Sequence, residues 1–150
     1  MKLLREDHNG KFKKISLHAK SENSSKIVVE ARSFKLIIDE PKISGGTNSG
    51  ANPLEYMLAA LSGCLNVVGH LIAKEMGFSL RGLEIDLEAE IDLAKLRGQP
   101  TQGRTGCTAI RVTIKPDADA DDVILAKWLK TVESRCPVSD NPLKFHTSKN

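Results

Sequence analysis

Residues 52–77 read NPLEYMLAALSGCLNVVGHLIAKEMG. Pro53 suits the first turn of a helix, where its missing N–H is no loss, and Gly77 suits the stop. Between them Leu54, Met57, Leu58, Leu61, Cys64, Leu65, Val68, Leu71 and Ile72 recur at helical spacing. The opposite face carries Ala59, Ser62, Asn66 and Ala73, small rather than charged. With His70 neutral, no residue from Tyr56 to Ala73 bears a charge. A helix apolar nearly all round is either buried in protein or spans a membrane. Asn66, Ser62, His70 and two glycines interrupt a run already slightly short for a span. The stretch therefore reads as a central core helix enclosed by more than one layer, with one thiol, Cys64, at its middle.

Upstream, residues 11–20 read as a strand in which Ile15, Leu17 and Ala19 alternate with Ser16 and His18. Ile27 to Ala31 forms a second strand and Phe34 to Ile38 a third, with no strong turn dipeptide at Arg32-Ser33 to join them. A long loop, DEPKISGGTNSGA (residues 39–51), leads into the helix. Downstream lies the cleanest strand. Leu83, Ile85, Leu87, Ala89, Ile91 and Leu93 point one way, and Glu84, Asp86, Glu88, Glu90 and Asp92 the other. Such alternation means one buried and one solvated face. The five acids read as the solvated face, because carboxylates along a flat strand do not converge on one ion.

After a polar loop, Ile110, Val112 and Ile114 mark another strand, with Cys107 on the opposite parity near its start. Asp119 is the expected N-cap of a second helix with Asp121 and Asp122 in its first turn. Its stripe is Leu125, Trp128, Leu129, Val132 and Cys136, and Pro137 ends it. Residues 144–147 offer an optional last strand. The order β-β-β-α-β-β-α predicts an α+β fold. At 150 residues the chain is expected to form a single domain, 1–150. So few elements leave much of the apolar helix uncovered, and a second copy is expected to cover it in an intertwined homodimer.

Composition narrows the function. Aromatic content of 4% and a net charge of +3 without a dense basic block argue against nucleic acid. The start, MKLLREDHNG, turns charged before any apolar run develops. The expected location is the cytoplasm, where three cysteines are free or reactive rather than a disulfide framework. No CxxC or HxxxH pair suggests zinc, and His8, His18, His70 and His146 are scattered. His70 follows Cys64 by six residues, about 240° round the helix, and reads as a satisfied histidine. Ser62 and Ser139 have no nearby base. Loop 45–52 lacks the GK[ST] of a phosphate loop. Two thiols, Cys64 and Cys136, sit on core-facing helices. They are either small buried hydrophobes or a redox pair meeting in one pocket. Cys107 reads as a bystander.

The segments DEP, GGTNSGANPLEYMLAALSGC and CPVS resemble the osmotically inducible protein C and organic hydroperoxide resistance (OsmC/Ohr) family over nearly the whole chain. The paired signature is N-P-x-E-x-x-x-A-A-x-x-x-C followed by C-P-[VY]-S. The resemblance implies an OsmC-like fold, antiparallel sheets wrapped around a long buried helix, as an intertwined homodimer with sites at the interface. It also implies a thiol peroxidase for organic hydroperoxides without metal or bound cofactor. Cys64 would attack, Cys136 would resolve, and a dithiol or lipoyl-bearing protein would reduce the pair. The family activates its attacking thiol with an arginine held by a glutamate. The chain departs here, with Leu54 where hydroperoxide-resistance members place that glutamate and Glu55 one residue on. Glu55 precedes Cys64 by nine residues, about 180° round the helix, so it either holds an arginine of the partner chain or caps the helix. Arg32 is the expected activating arginine, with Arg104 in reserve. The alternative function is a dimeric binding or redox-sensing protein with little peroxidase activity.

Overall fold

The structure is a computed structural model, described over residues 14–141. The elements follow in the order β1 (His18–Ser21), β2 (Ile27–Ala31), β3 (Phe34–Ile38), α1 (Pro53–Met76), β4 (Leu80–Ile91), β5 (Cys107–Ala118) and α2 (Asp122–Arg135). The class is α+β, with both sheets antiparallel. The chain divides into two compact units that meet within α1, one running to Met57 and the other from Leu58 to Pro142.

The first unit is the three-stranded sheet β1-β2-β3 and the loop that follows it. Asn23 Oδ1 holds the first turn by accepting from the backbone N–H groups of Ser25 and Lys26. The second turn is a two-residue hairpin, with Ala31 opposite Phe34. Arg32 adopts φ 58°, the positive value that primed hairpin turns require at their first central position. Arg32-Ser33 is not one of the Gly-, Asn- or Asp-containing dipeptides that favour such turns, so the tight hairpin was not visible in the composition. β1 is shorter than the expected strand. It starts at His18, all four of its residues are exposed, and Ile15 and Leu17 lie outside it, exposed. The part of that expectation at residues 11–13 lies outside the described residues, as do His8, His146 and the optional strand at 144–147.

Loop 39–51 is organised by Asp39, which is fully buried. Its carboxylate accepts from the Ser25 hydroxyl, the Glu40 N–H, and both the N–H and hydroxyl of Thr47 and of Ser49. Gly46 passes so close to the Glu40 carbonyl that a Cβ would sit 1.9 Å from its oxygen. The loop ends in a capping box. The Asn52 side chain accepts from the Glu55 N–H at 2.9 Å, and Glu55 accepts from the Asn52 N–H at 2.7 Å. The Tyr56 hydroxyl donates to the Ile37 carbonyl, tying the start of α1 to β3.

In the second unit α1 ends in a Schellman motif. Gly77 takes φ 79°, its N–H donates to the Lys74 carbonyl, and the Phe78 N–H donates to that of Ala73. α1 has the length and composition of a membrane span, but Leu65, Val68, Ile72 and Ala73 form one core cluster with Trp128, Val132 and Cys136. Trp128 Nε1–H donates to the Gly69 carbonyl at 2.8 Å. Burial is one-sided, however. Met57, Val67 and Leu71 are exposed, so one chain does not enclose the helix as its composition predicts.

β4 and β5 pair over their lengths, with bulges at Leu80/Gly82 and Glu90/Ile91. Leu83, Ile85 and Ile114 pack on the core. On the opposite face Arg111 pairs with Glu90, and Lys115 with Asp86. The strand expected to run to Leu93 stops at Ile91, because Asp92 turns the chain by accepting from the Ala94 N–H. The N-cap of α2 is Asp121, which accepts from the Ile124 N–H. Asp119, expected there, instead exchanges hydrogen bonds with Ser79 as the β4–β5 ladder closes. Leu129, placed in the apolar stripe, is partly exposed.

Candidate active site: a thiol pair between two helices

Cys64 projects from the middle of α1, and Cys136 caps the C-terminal end of α2. Both belong to the packing between these helices, which Trp128 and Val132 fill. Helical spacing places each thiol on its core-facing side, and the packing brings the two Sγ atoms to 3.2 Å. Both are free thiols. Cys136 is buried, 1% exposed, while Cys64 is half-buried.

The segment after α2 turns tightly. The Asp140 N–H donates to the Cys136 carbonyl at 3.1 Å, and the Ser139 hydroxyl donates to the same oxygen at 2.9 Å. The turn carries the backbone N–H groups of Val138 and Ser139 to the sulfurs. Burial pushes the Cys64 thiol up. The Val138 N–H acts against that, the neighbouring Cys136 adds to it, and the net direction is upward. Burial also pushes Cys136 up, but the Ser139 N–H and hydroxyl, the Cys64 thiol and the Val138 N–H outweigh it. Cys136 therefore lies below the ordinary thiol value. Sequence reading did not single out Val138, and it dismissed Ser139 as a nucleophile. The visible signal was a proline directly after Cys136, which turns the next N–H groups back toward it.

The remaining expected residues lie elsewhere. Arg32 occupies the β2–β3 turn, its guanidinium 5.1 Å from the centre of the Phe34 ring. Glu55 is engaged in the capping box, the second of the two roles open to it. Arg104 lies in the loop before β5, its guanidinium beside Gly106. Within the second unit no arginine acts on either sulfur, and Arg135, next to Cys136, is held by Glu75 on α1. His70 Nδ1 is 2.9 Å from the Asn66 carbonyl on an exposed face. Cys107 opens β5 opposite Ile91, apart from the pair. Among the described residues no three His, Cys, Asp or Glu side chains cluster as metal ligands would. The arrangement can pass from dithiol to disulfide with small movement, and only Cys64 is open to a reactant.

A family model described as OsmC-like protein matches residues 46–147. Among solved structures, an OsmC-like protein from Mycoplasma pneumoniae is similar with a TM-score of 0.74 at 20% identity, over 85% of this chain and 86% of its own. An organic hydroperoxide resistance protein from Legionella pneumophila gives 0.57 at 18% identity, over 83% and 87%. The organic hydroperoxide resistance protein OhrB of Bacillus subtilis gives 0.55 at 18%, over 85% and 88%. At these identities the likeness carries the fold. No curated protein matches. With more than half its length and both cysteines inside the family match, the chain belongs to the OsmC-like protein family.

Proposed function

We propose that the chain is a thiol peroxidase that reduces organic hydroperoxides through Cys64 and Cys136 in oxidative-stress defence. The observation that carries this is the 3.2 Å separation of the two sulfurs. Cys64, the more exposed, attacks the terminal peroxide oxygen and becomes a sulfenic acid, and Cys136 condenses with it to a disulfide. A dithiol or lipoyl-bearing protein restores the thiols by exchange, in a reducing compartment such as the cytoplasm. The family match and the hydroperoxide-resistance relatives support the substrate class. The apolar surroundings, Leu61, Leu65, Val68 and Trp128, favour organic hydroperoxides over hydrogen peroxide. The working unit is a homodimer, in which Arg32 supplies positive charge to the site. With Glu55 capping α1, the Arg32 guanidinium is oriented instead by Phe34.

The test is mass spectrometry after one equivalent of cumene hydroperoxide on wild type, Cys64→Ser and Cys136→Ser. A Cys64–Cys136 disulfide is expected in wild type, and a sulfenic or over-oxidised Cys64 once Cys136 is removed. Thiols unmodified in all three would sink the reading. A second reading, a dimeric binding or redox-sensing protein, is favoured by two observations. Leu54 stands where an acid is expected, and burial pushes the Cys64 thiol up. It predicts slow oxidation of Cys64 with no preference among hydroperoxides.

A further inference from the structure

We infer that the reductant enters the cycle at Cys64, so that its thiol forms a mixed disulfide with Cys64 and expels Cys136 as the leaving group. This deepens the peroxidase reading above and rests on it for the disulfide's part in turnover. Thiol–disulfide exchange is a displacement at one sulfur of the pair, and access helps to decide which sulfur is attacked. The incoming thiolate approaches from the side opposite the departing sulfur. Cys136 offers no such side. It is 1% exposed and belongs to the core cluster with Leu65, Val68, Ile72, Trp128 and Val132. Cys64 is half-buried and borders open surface. Ala60, one turn earlier on α1, and Gly63 are exposed, and a Cβ on Gly63 would meet nothing within 4 Å outside its own stretch of helix. The seal on Cys136 survives oxidation, because closing the 3.2 Å contact to a bond of about 2 Å is a small approach. The end of α2 is held on α1 at two points. Trp128 Nε1–H donates to the Gly69 carbonyl, and Arg135, directly before Cys136, pairs through both terminal guanidinium nitrogens with Glu75. Beyond Cys136 the chain folds back. The Ser139 hydroxyl and the Asp140 N–H donate to the Cys136 carbonyl, and the Asn141 side chain donates to that of Pro137. None of these bonds uses a sulfur, so the disulfide forms without breaking them.

The exchange balances with a dithiol as co-reactant. Its thiolate, having given its proton to water, bonds to the Cys64 sulfur. The Cys64–Cys136 bond breaks, its electron pair leaves on Cys136, and Cys136 takes a proton from water. The second thiol of the same molecule then bonds to the sulfur of the first, passes its proton to Cys64 and releases Cys64 as a thiol. The reductant leaves oxidised to a disulfide, and both protein sulfurs are thiols again. Oxidant and reductant thus use one entrance in turn, and Cys136 meets neither.

The test uses the full chain in a Cys107→Ser background, oxidised to the Cys64–Cys136 disulfide with diamide so that no peroxide is needed. Glutathione, a monothiol that completes only the first step, is added. Samples are quenched with acid over time, free thiols are alkylated, and the sites are mapped by mass spectrometry. Glutathione on Cys64 with the alkyl group on Cys136 is expected to exceed the reverse pattern about tenfold or more at the earliest times. Single-cysteine chains cover the case in which Cys136 reverses the first step before it is trapped. With glutathione disulfide, Cys136→Ser is expected to be modified at Cys64 about tenfold or more faster than Cys64→Ser is modified at Cys136. Circular dichroism confirms that both are folded, and the difference is expected to vanish in guanidinium, where packing shields neither thiol. Glutathione recovered mainly on Cys136, or equal rates in the folded single-cysteine chains, would overturn entry at Cys64 and leave the peroxidase reading intact. A reduced pair that cumene hydroperoxide leaves untouched, with glutathione still found on Cys64, would instead overturn the peroxidase reading and with it the place of this step in turnover.

Discussion

Asp39 shows how much one side chain decides in this chain. It is fully buried, and each of its carboxylate oxygens collects donors from residues 25–49. Hydrogen bonds from the Thr47 hydroxyl, the Ser49 N–H, and the Ser49 and Ser25 hydroxyls hold it far below the usual carboxylate range, against the opposing effect of burial. A carboxylate with a depressed folded value stabilises the fold fully above its unfolded value of about 3.9. That stability is lost as pH falls through the folded value below it. Asp39→Ala is therefore expected to melt at lower temperature at neutral pH, and the gap to wild type is expected to narrow as pH drops below about 3.9. Calorimetry across pH checks both. The motif DEP was plain in the sequence, but its purpose was not. Ser25, Thr47 and Ser49 carry no signal that they face one oxygen pair until the loop is folded. The thiols divide the same way. Helical spacing put Cys64 and Cys136 on core-facing sides, yet their contact and the Val138 and Ser139 donors depend on how α2 ends. At Arg32, replacement by alanine is expected to slow Cys64 oxidation about tenfold or more while far-ultraviolet circular dichroism stays unchanged. Single-turnover kinetics on the folded variant reads this.

At the scale of elements, α1 was the most readable because its signals are local. Pro53 opens it and Gly77 stops it, and the structure puts its ends at Pro53 and Met76. The cap contributes energy as well as a boundary. Asn52→Ala is expected to cost about 1 kcal/mol, measured by denaturant unfolding. Strand ends were less readable, since partners set them. β4 reaches back to Leu80 because Ala118 pairs with it, and among the described residues the four-residue β1 pairs with β2 alone. Gly69 marks where α1, α2 and β4 meet. A Cβ there would lie 3.1 Å from both Trp128 Cζ2 and Leu83 Cδ1. Trp128 is 2% exposed and bonded to the Gly69 carbonyl, so it has little room to move. Overpacking costs about 1–3 kcal/mol, against a gain of up to about 1 kcal/mol in helix propensity. Gly69→Ala is therefore expected to destabilise by about 1 kcal/mol and to shift the tryptophan emission.

At the scale of the molecule, α1 poses a question of assembly. Val67 and Leu71 lie four residues apart on one helix face, exposed, beside residues that pack the core. A second copy covering this face is the expected solution, with a sedimenting mass twice that of one chain. Val67→Glu introduces a charge there without touching the chain's own core and is expected to shift the protein toward monomer. Analytical ultracentrifugation of wild type and variant decides it.

The thiol contact also ties redox state to folding. The sulfurs lie 72 residues apart in sequence and meet only when α1 and α2 pack. A covalent link across so long a loop removes conformations from the unfolded chain, worth about 4 kcal/mol in the chain-entropy model. Oxidation and folding then behave as linked equilibria, so the disulfide form is expected to be harder to unfold than the dithiol form. The oxidised protein is expected to melt above the reduced protein, a difference that disappears in Cys136→Ser. In the proposed cycle, the molecule would be at its most durable while it waits for electrons.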